Sequence, residues 1–435
     1  MSSKTKNRTV TNDGPPALIP KLRFPEFRDT QGWEGTQLQK IACPITDRAV
    51  TGNGDKVLSL SGEHGLVLQS DYFGKKVAGD SAERYLKLVR DDFVYNDRTT
   101  KASVYGTIKR LSKYDGGIVS PIYKCFRFHS DENPVFWEWY FESGSHDAQL
   151  GGLVNEGARA GRFNISISQF LSTCAWRPDE IEQEKLADCL TSMDELTAAQ
   201  ARKVDTLKTH KKGLMQQLFP REGETQPRLR FPEFRDAEKW HVKKLDALLF
   251  EAKHRNRTLE LGPSDVLSVS GEHGCVNQIE FMGRSYAGAT VKDYHVVEHG
   301  DIVYTKSPLK KNPYGIVKEN KGKRGIVSTL YAVYRPSPAC SASYLDHFFS
   351  VDYNLNAYLQ PIVKKGPKND MKVNNADVLK GDICVPELPE QKKIADCLTS
   401  FNELIAAQTQ KLYALKTHKK GLMQQLFPSP EQAEA

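Results

Sequence analysis

The segment Gln183–Pro220 returns as Gln391–Pro428, a shift of 208 residues, with 28 of 38 positions identical. Shorter islands repeat at nearly the same spacing. Leu22–Asp29, LRFPEFRD, recurs unchanged at Leu229–Asp236, and VLSLSGEHG at 57–65 recurs as VLSVSGEHG at 266–274. DDFVYND at 91–97 matches GDIVYTK at 300–306, and GGIVSPIYKCFR at 116–127 matches RGIVSTLYAVYR at 324–335. A period this long is too large for a solenoid unit and describes a duplicated domain with an attached helix. The copies kept their long segments and diverged between them. The physical reading is that the long segments do one job twice while each globular half meets a different target; the alternative is unequal drift or local recombination.

Both long segments carry the alternating three- and four-residue apolar spacing of a coiled-coil seam. Leu190, Met193, Val204, Leu207 and Leu214 fall on it in the first copy, as do Leu398, Phe401, Leu412, Leu415 and Leu422 in the second. Gln200 and Lys211 interrupt the seam where Gln408 and Lys419 do; polar seam residues can fix register or snorkel to water. Starts are marked by Pro178–Asp179 and Pro389–Glu390, and ends by lysines followed by Pro220 and Pro428. Roughly 35 helical residues span about 50 Å. Paired antiparallel, the two helices would hang one half from each end, about a pseudo-two-fold axis. That geometry suits a duplex, whose turn repeats every ~34 Å.

Between the helices, short Val-, Ile-, Tyr- and Phe-rich runs bounded by Gly, Asp and Asn predict strands. PVFWEWYFES and SYLDHFFSVDYNLNAYL have the spacing of amphipathic helices. The fold class is therefore α+β. The expected division is a disordered leader (1–20), domain 1 (21–177), helix 1 (178–220), a polar linker (221–228), domain 2 (229–385), helix 2 (386–428) and a tail (429–435).

Hydrophobic residues at 39% and charged residues at 26% allow ordinary cores, and no apolar run is long enough for a membrane span. The eight cysteines are scattered without a CxxC pair, which fits reduced thiols in the cytoplasm better than disulfides or a zinc ribbon. A net charge of +7 permits a polyanionic partner without requiring one.

Catalytic chemistry is missing. No GxxxxGK[ST] phosphate cradle occurs. Asn312-Pro313-Tyr314 lacks the second proline of an adenine-methylating motif and reads as a turn, as do the tips holding His64 and His273. Aromatic residues are expected in the core. DNA binding needs cations for phosphates and forked or amide side chains for base edges. Two loops per half offer them and differ between copies. One carries Arg98 and Lys101, against Lys306, Lys310 and Lys311. The other carries Arg159 and Arg162, against Lys364, Lys365, Lys368 and Lys372.

Over nearly the whole chain these features resemble the specificity subunit of type I restriction–modification systems. The resemblance rests on the openings Phe24–Trp33 and Phe231–Trp240, the ELPEQKKIADCL helix start and the doubled LKTHKKGLMQQLF helix exit. The first helix starts differently, with Arg177-Pro178-Asp179-Glu180-Ile181-Glu182-Gln183. It implies two target-recognition domains in tandem reading a bipartite asymmetric site in double-stranded DNA. It also implies an antiparallel helical spacer docking two modification subunits, with restriction and translocation by a further subunit. No catalysis and no cofactor are implied for this chain. S-adenosylmethionine for adenine methylation, and ATP with Mg for translocation, belong to the partners. The alternative is a coiled-coil scaffold whose halves bind protein.

Overall fold

The computed structural model describes residues 17–428, apart from 50–55, 74–81, 101–102, 154–163, 222, 309–311 and 366–370. It divides into two compact units. The first runs to Ala199 and resumes at Leu412; the second is Gln200–Lys411. Each unit therefore holds the head of one long helix and the tail of the other.

In the first unit a four-stranded antiparallel sheet has the order β2 (Ala42–Pro44), β9 (Lys124–Phe128), β6 (Phe93–Asn96), β7 (Thr107–Arg110). Three antiparallel pairs flank it: β1 (Glu34–Gln37) with β10 (Cys174–Arg177), β3 (Leu58–Ser61) with β4 (Gly65–Leu68), and β5 (Leu86–Val89) with β8 (Gly116–Val119). The run DFVYN is apolar on both sides because β6 is central. Phe93 and Tyr95 enter the main core, while Val94 joins a smaller cluster with Leu58 and Leu88.

The second unit repeats this topology. Its sheet is β12 (Leu249–Glu251), β19 (Tyr331–Pro336), β16 (Ile302–Thr305), β17 (Val317–Glu319). The pairs are β11 (His241–Lys244) with β22 (Asp382–Val385), β13 (Leu267–Ser270) with β14 (Gly274–Asn277), and β15 (His295–Val297) with β18 (Gly325–Val327). A further two-residue pair, β20 (Lys364–Lys365) with β21 (Met371–Lys372), has no counterpart among the described residues of the first unit. Both units are mixed helix and sheet.

Helix Pro134–Glu142 starts where the Asn133 side chain accepts the amides of Val135 and Phe136, at 2.9 and 3.1 Å. Helix Ala342–Phe349 starts at Ser341 in the same way, with Tyr344 as donor at 3.3 Å. The long helices, Glu180–Leu218 and Leu388–Leu426, have 39 residues each and stop before Pro220 and Pro428. Ile181 in place of Pro389 leaves the two starts in the same register.

Each core closes around both long helices. Trp33, Phe136, Trp137 and Tyr140 pack with Leu186 and Leu190 of the first and Leu426 and Phe427 of the second. In the other unit, Trp240, Tyr304, Tyr344 and Phe349 pack with Leu398 and with Leu218 and Phe219. Each unit also repeats an ion pair between its opening arginine and a buried glutamate at the start of its long helix. Arg23 donates to Glu182 at 2.5 and 2.8 Å, and Arg230 to Glu390 at 2.6 and 2.9 Å.

Two segments read as loose are partly tied down. Leu18, assigned to the leader, exchanges backbone hydrogen bonds with Trp33 at 3.0 and 2.7 Å; residues 1–16 lie outside the described set. Gln226 of the polar linker exchanges hydrogen bonds with the Trp240 backbone at 3.1 and 3.3 Å. A polar composition does not leave a segment loose, because its amides still find backbone partners.

Candidate nucleic-acid interface

The hairpins β6–β7 and β16–β17 carry the first pair of predicted loops, and their bases are built alike. The buried Tyr95 hydroxyl donates to the Tyr105 carbonyl at 3.0 Å, and Tyr304 to Tyr314 at 2.8 Å. Burial pushes both phenols up, so each stays a donor. Gly106 and Gly315 then turn the chain at φ 88° and 92°. A Cβ there would stand 2.4 Å from the Asn96 oxygen or 2.1 Å from the Thr305 oxygen, so only glycine fits.

The tips differ. Arg98 is exposed, its amide held by the Asn96 side chain at 3.2 Å, and Thr100 and Ser103 close a small turn on each other at 3.0 and 3.2 Å. Lys101 lies outside the described residues, as do Lys310 and Lys311. Lys306 is half-buried and donates to the Asn375 side chain at 3.1 Å. Burial, with Arg255 nearby, lowers its pKa, although Glu251 opposes the effect. Lys306 therefore braces the hairpin rather than projecting from it. Its counterpart in the first unit is Asp97, buried and paired with Lys124 at 2.6 Å. One position at the hairpin base thus reverses its charge between halves.

Of the second pair of loops, Arg159 and Arg162 lie outside the described residues. Asn164, just after them, is exposed with φ 56°. Lys364 is exposed on β20, where it pairs with Lys372 across β21, and Lys365 pairs with Met371. Lys368 falls outside the described set.

Spacing did not bring out a cavity of about 670 Å³ beside the first hairpin, lined by Asn96, Arg98, Thr100, Tyr105, Glu63 and Asp147 among others. Its walls come from three separate stretches, and no local pattern links them. Among the described residues, no group of three His, Cys, Asp or Glu side chains could hold a metal, and no helix is long and apolar enough to cross a membrane. All eight cysteines are free.

On the helices, Leu190 and Leu398 are fully buried and Val204 is 3% exposed. Met193, Leu207, Leu214, Phe401, Leu412, Leu415 and Leu422 are half-buried. In the second unit Gln200 donates to the Gln408 side chain at 3.0 Å and to its carbonyl at 2.9 Å, and His210 meets the Phe401 ring at 5.3 Å. As the first index rises the second falls, so these two segments run in opposite directions. In the first unit Lys419 pairs with Asp194 and lies 4.2 Å over the Trp139 ring.

No protein-family model matches the chain, and neither does any curated sequence. Among solved structures, the S subunit of a type I restriction–modification system from M. genitalium aligns over 95% of this chain and 100% of its own, with a TM-score of 0.53 at 11% identity. This chain has the S-subunit fold. Two other structures align over 92% of this chain at 16% identity. One is the HsdS subunit from Thermoanaerobacter tengcongensis, TM-score 0.43 and 96% of its own length. The other is from a study of the assembly of a type I R-M system, TM-score 0.49 and 98%. In this chain the two hairpins share one base and carry different side chains beyond it.

Proposed function

We propose that this chain is the DNA-recognition subunit of a type I restriction–modification complex and is itself without catalysis. Each half reads one part of a split, asymmetric duplex site. The two long helices pair antiparallel along their length as the spacer, and each docks one modification subunit. That partner carries S-adenosylmethionine for adenine methylation. One observation carries the reading: a single hairpin base, fixed by Tyr95 and Gly106 or Tyr304 and Gly315, presents two unlike tips. A scaffold binding one protein twice has no need of unlike tips. Arg98, Lys101, Arg159 and Arg162 contact DNA from the first half. Lys310, Lys311, Lys364, Lys365, Lys368 and Lys372 do so from the second, with Lys306 positioning its hairpin. The contacts sort into phosphate anchors and base readers.

The test is to map methylated adenines in cells with and without this gene beside its modification partner, then to exchange the second half for that of a related chain. One part of the recognised site should change and the other persist. An entirely unchanged site rejects the two-module reading. DNA binding by the assembled complex should also fall steeply with salt, as phosphate contacts require; a flat response favours the protein-binding scaffold.

A further inference from the structure

One place in the duplicated fold is filled by the first half and left open by the second. In the first unit Leu58, Leu66 and Leu111 are buried together, and Leu68 and Tyr114 pack against them. The Lys56 ammonium lies 5.3 Å over the Tyr114 ring. In the second unit the corresponding residues are Leu267, Cys275, Asn320 and Asn277, with Asp265 in place of Lys56. The loop Leu111–Gly117, which carries Tyr114, returns one residue shorter as Asn-Lys-Gly-Lys-Arg-Gly at 320–325 and brings no ring. Neither asparagine refills the space. The fully buried Asn320 donates to the Glu298 and Lys323 carbonyls at 3.0 and 3.1 Å and accepts the Gly322 amide at 3.2 Å. Asn277 accepts the amides of Ile279 and Glu280, at 3.0 and 3.2 Å, at the start of the short helix Gln278–Met282.

The second unit has a cleft of about 570 Å³ at this place, between the β13–β14 hairpin with that short helix and the shortened loop. Such a volume lies within the range of ligand sites, roughly 300–1,000 Å³. Leu267, Cys275, Val276 and Phe281 supply apolar wall, and Asp265 and Glu280 supply carboxylates. One Asp265 oxygen accepts the Gly262 amide at 2.8 Å, and Glu280 is exposed. Of the two cations at the loop, Arg324 is held by Glu298 at 3.0 Å and Lys323 stands exposed. Beside the cleft, Ile279, Phe281, Met282 and Tyr286 are 39–54% exposed, a dense apolar patch for so short a stretch.

We infer that this cleft is a docking site, belonging to the second half alone, for a protein segment that carries an aromatic ring next to a Lys or Arg. The ring enters against Leu267 and Phe281, and the cation faces Asp265 and Glu280. The first half shows what these walls close on, a ring with a cation above it. The second half has lost both and has exchanged the cation for an acid, so both come from outside. Exposed carboxylates repel a phosphate backbone, and a rim of Phe, Met and Tyr has the composition of a protein interface. A site made once per chain takes one copy of its partner, unlike the repeated surface of the helices. The inference rests on the cleft and is independent of DNA recognition.

The test titrates the full chain with the capped peptide Gly-Tyr-Arg-Gly, read by saturation-transfer NMR on the tyrosine ring and by calorimetry. The wild-type chain should bind it at millimolar concentration. Peptides with Ala for the Tyr, or Glu for the Arg, should bind at least about ten-fold more weakly. Glu280→Lys, and Cys275→Leu, which restores the residue of the first half, should each weaken the parent peptide by a similar factor. Melting should be unchanged in Glu280→Lys, whose side chain is exposed, so that variant decides the matter even if leucine disturbs the wall. No binding to the wild-type chain, equal binding of the Glu peptide, or an affinity unchanged by Glu280→Lys would each overturn the site. So would competition between the peptide and a DNA duplex, since the cleft would then face nucleic acid.

Discussion

In the first unit Lys419 lies over an indole and pairs with Asp194; in the second, Lys211 holds the equivalent point of a near-identical helix in different company. Trp139 has become His347 and Asp194 has become Asn402. One contact survives the exchange. Trp139 donates to the Thr191 hydroxyl at 3.4 Å, and His347 shares a hydrogen bond with the Thr399 hydroxyl at 3.1 Å. The difference teaches which link is held: a ring nitrogen on a helix threonine survives while the ring itself changes. The halves could diverge because the scaffold asks little of each.

The largest effect should come from what both units keep. Arg23→Ala or Arg230→Ala would leave Glu182 or Glu390 buried without its partner, at a cost of about 3–5 kcal/mol. Denaturant unfolding measures it, and hydrogen exchange should place the loss in the mutated unit. A cost under about 1 kcal/mol in either unit would show that the repeated pair is not a shared anchor. Next, Gly106→Ala and Gly315→Ala force a Cβ against a carbonyl, costing about 1–3 kcal/mol. Each should also damage recognition of one part of the DNA site only. Loss of both parts from one substitution would break the idea that the halves read independently.

Acid should separate the units without any substitution. Burial pushes His146 down to about 3 in the first unit, and His347 and His295 to about 3 and 4 in the second. With folded values below the ordinary ~6.5, the unfolded chain takes up these protons, and stability falls as pH drops from about 6.5 towards 4 and 3. The first unit carries an opposing set. Burial raises Glu132, Glu138 and Asp147, so the folded state gains their protons first and is favoured as pH falls. Hydrogen exchange at decreasing pH should therefore open the core around Tyr344 before that around Trp137. The reverse order would refute this balance of buried groups.

How much of this was legible depended on how far apart the deciding residues lie. The repeat, the α+β character and the burial of Leu190 and Val204 follow from local spacing. The Tyr95–Gly106 hairpin base was within reach, because both residues recur at the same shift as Tyr304 and Gly315. Arg23 with Glu182 was not, since pairing the repeat opening with the helix start requires the whole half to fold between them. Lys306 shows a different limit. Its charge was readable, but Asn375, which occupies that charge, comes from a segment some seventy residues on. A basic residue in a loop carries no mark of whether its charge is already used.

The smallest effect bears most directly on the comparison. Methionine keeps the length of lysine and removes its charge. Lys419→Met should cost about 0.5–1.5 kcal/mol, combining a lost cation–π contact with a lost, half-exposed ion pair. Lys211→Met should behave oppositely. Burial, helped by Lys318 and Lys321, pulls the Lys211 pKa down, although Asp346 resists. Its charge is therefore held at a cost, and Asp346 keeps Lys318 at 3.4 Å and Lys321 at 3.5 Å without it. The substitution should be neutral or slightly stabilising, within about 0.5 kcal/mol. Asn402→Asp, which restores the acid facing Lys419 in the other unit, should raise the Lys211 pKa and make Lys211→Met destabilising in that background. Equal costs for the two lysine variants in the parent chain would mean that the helices see the same surroundings energetically, whatever rings and acids stand around them.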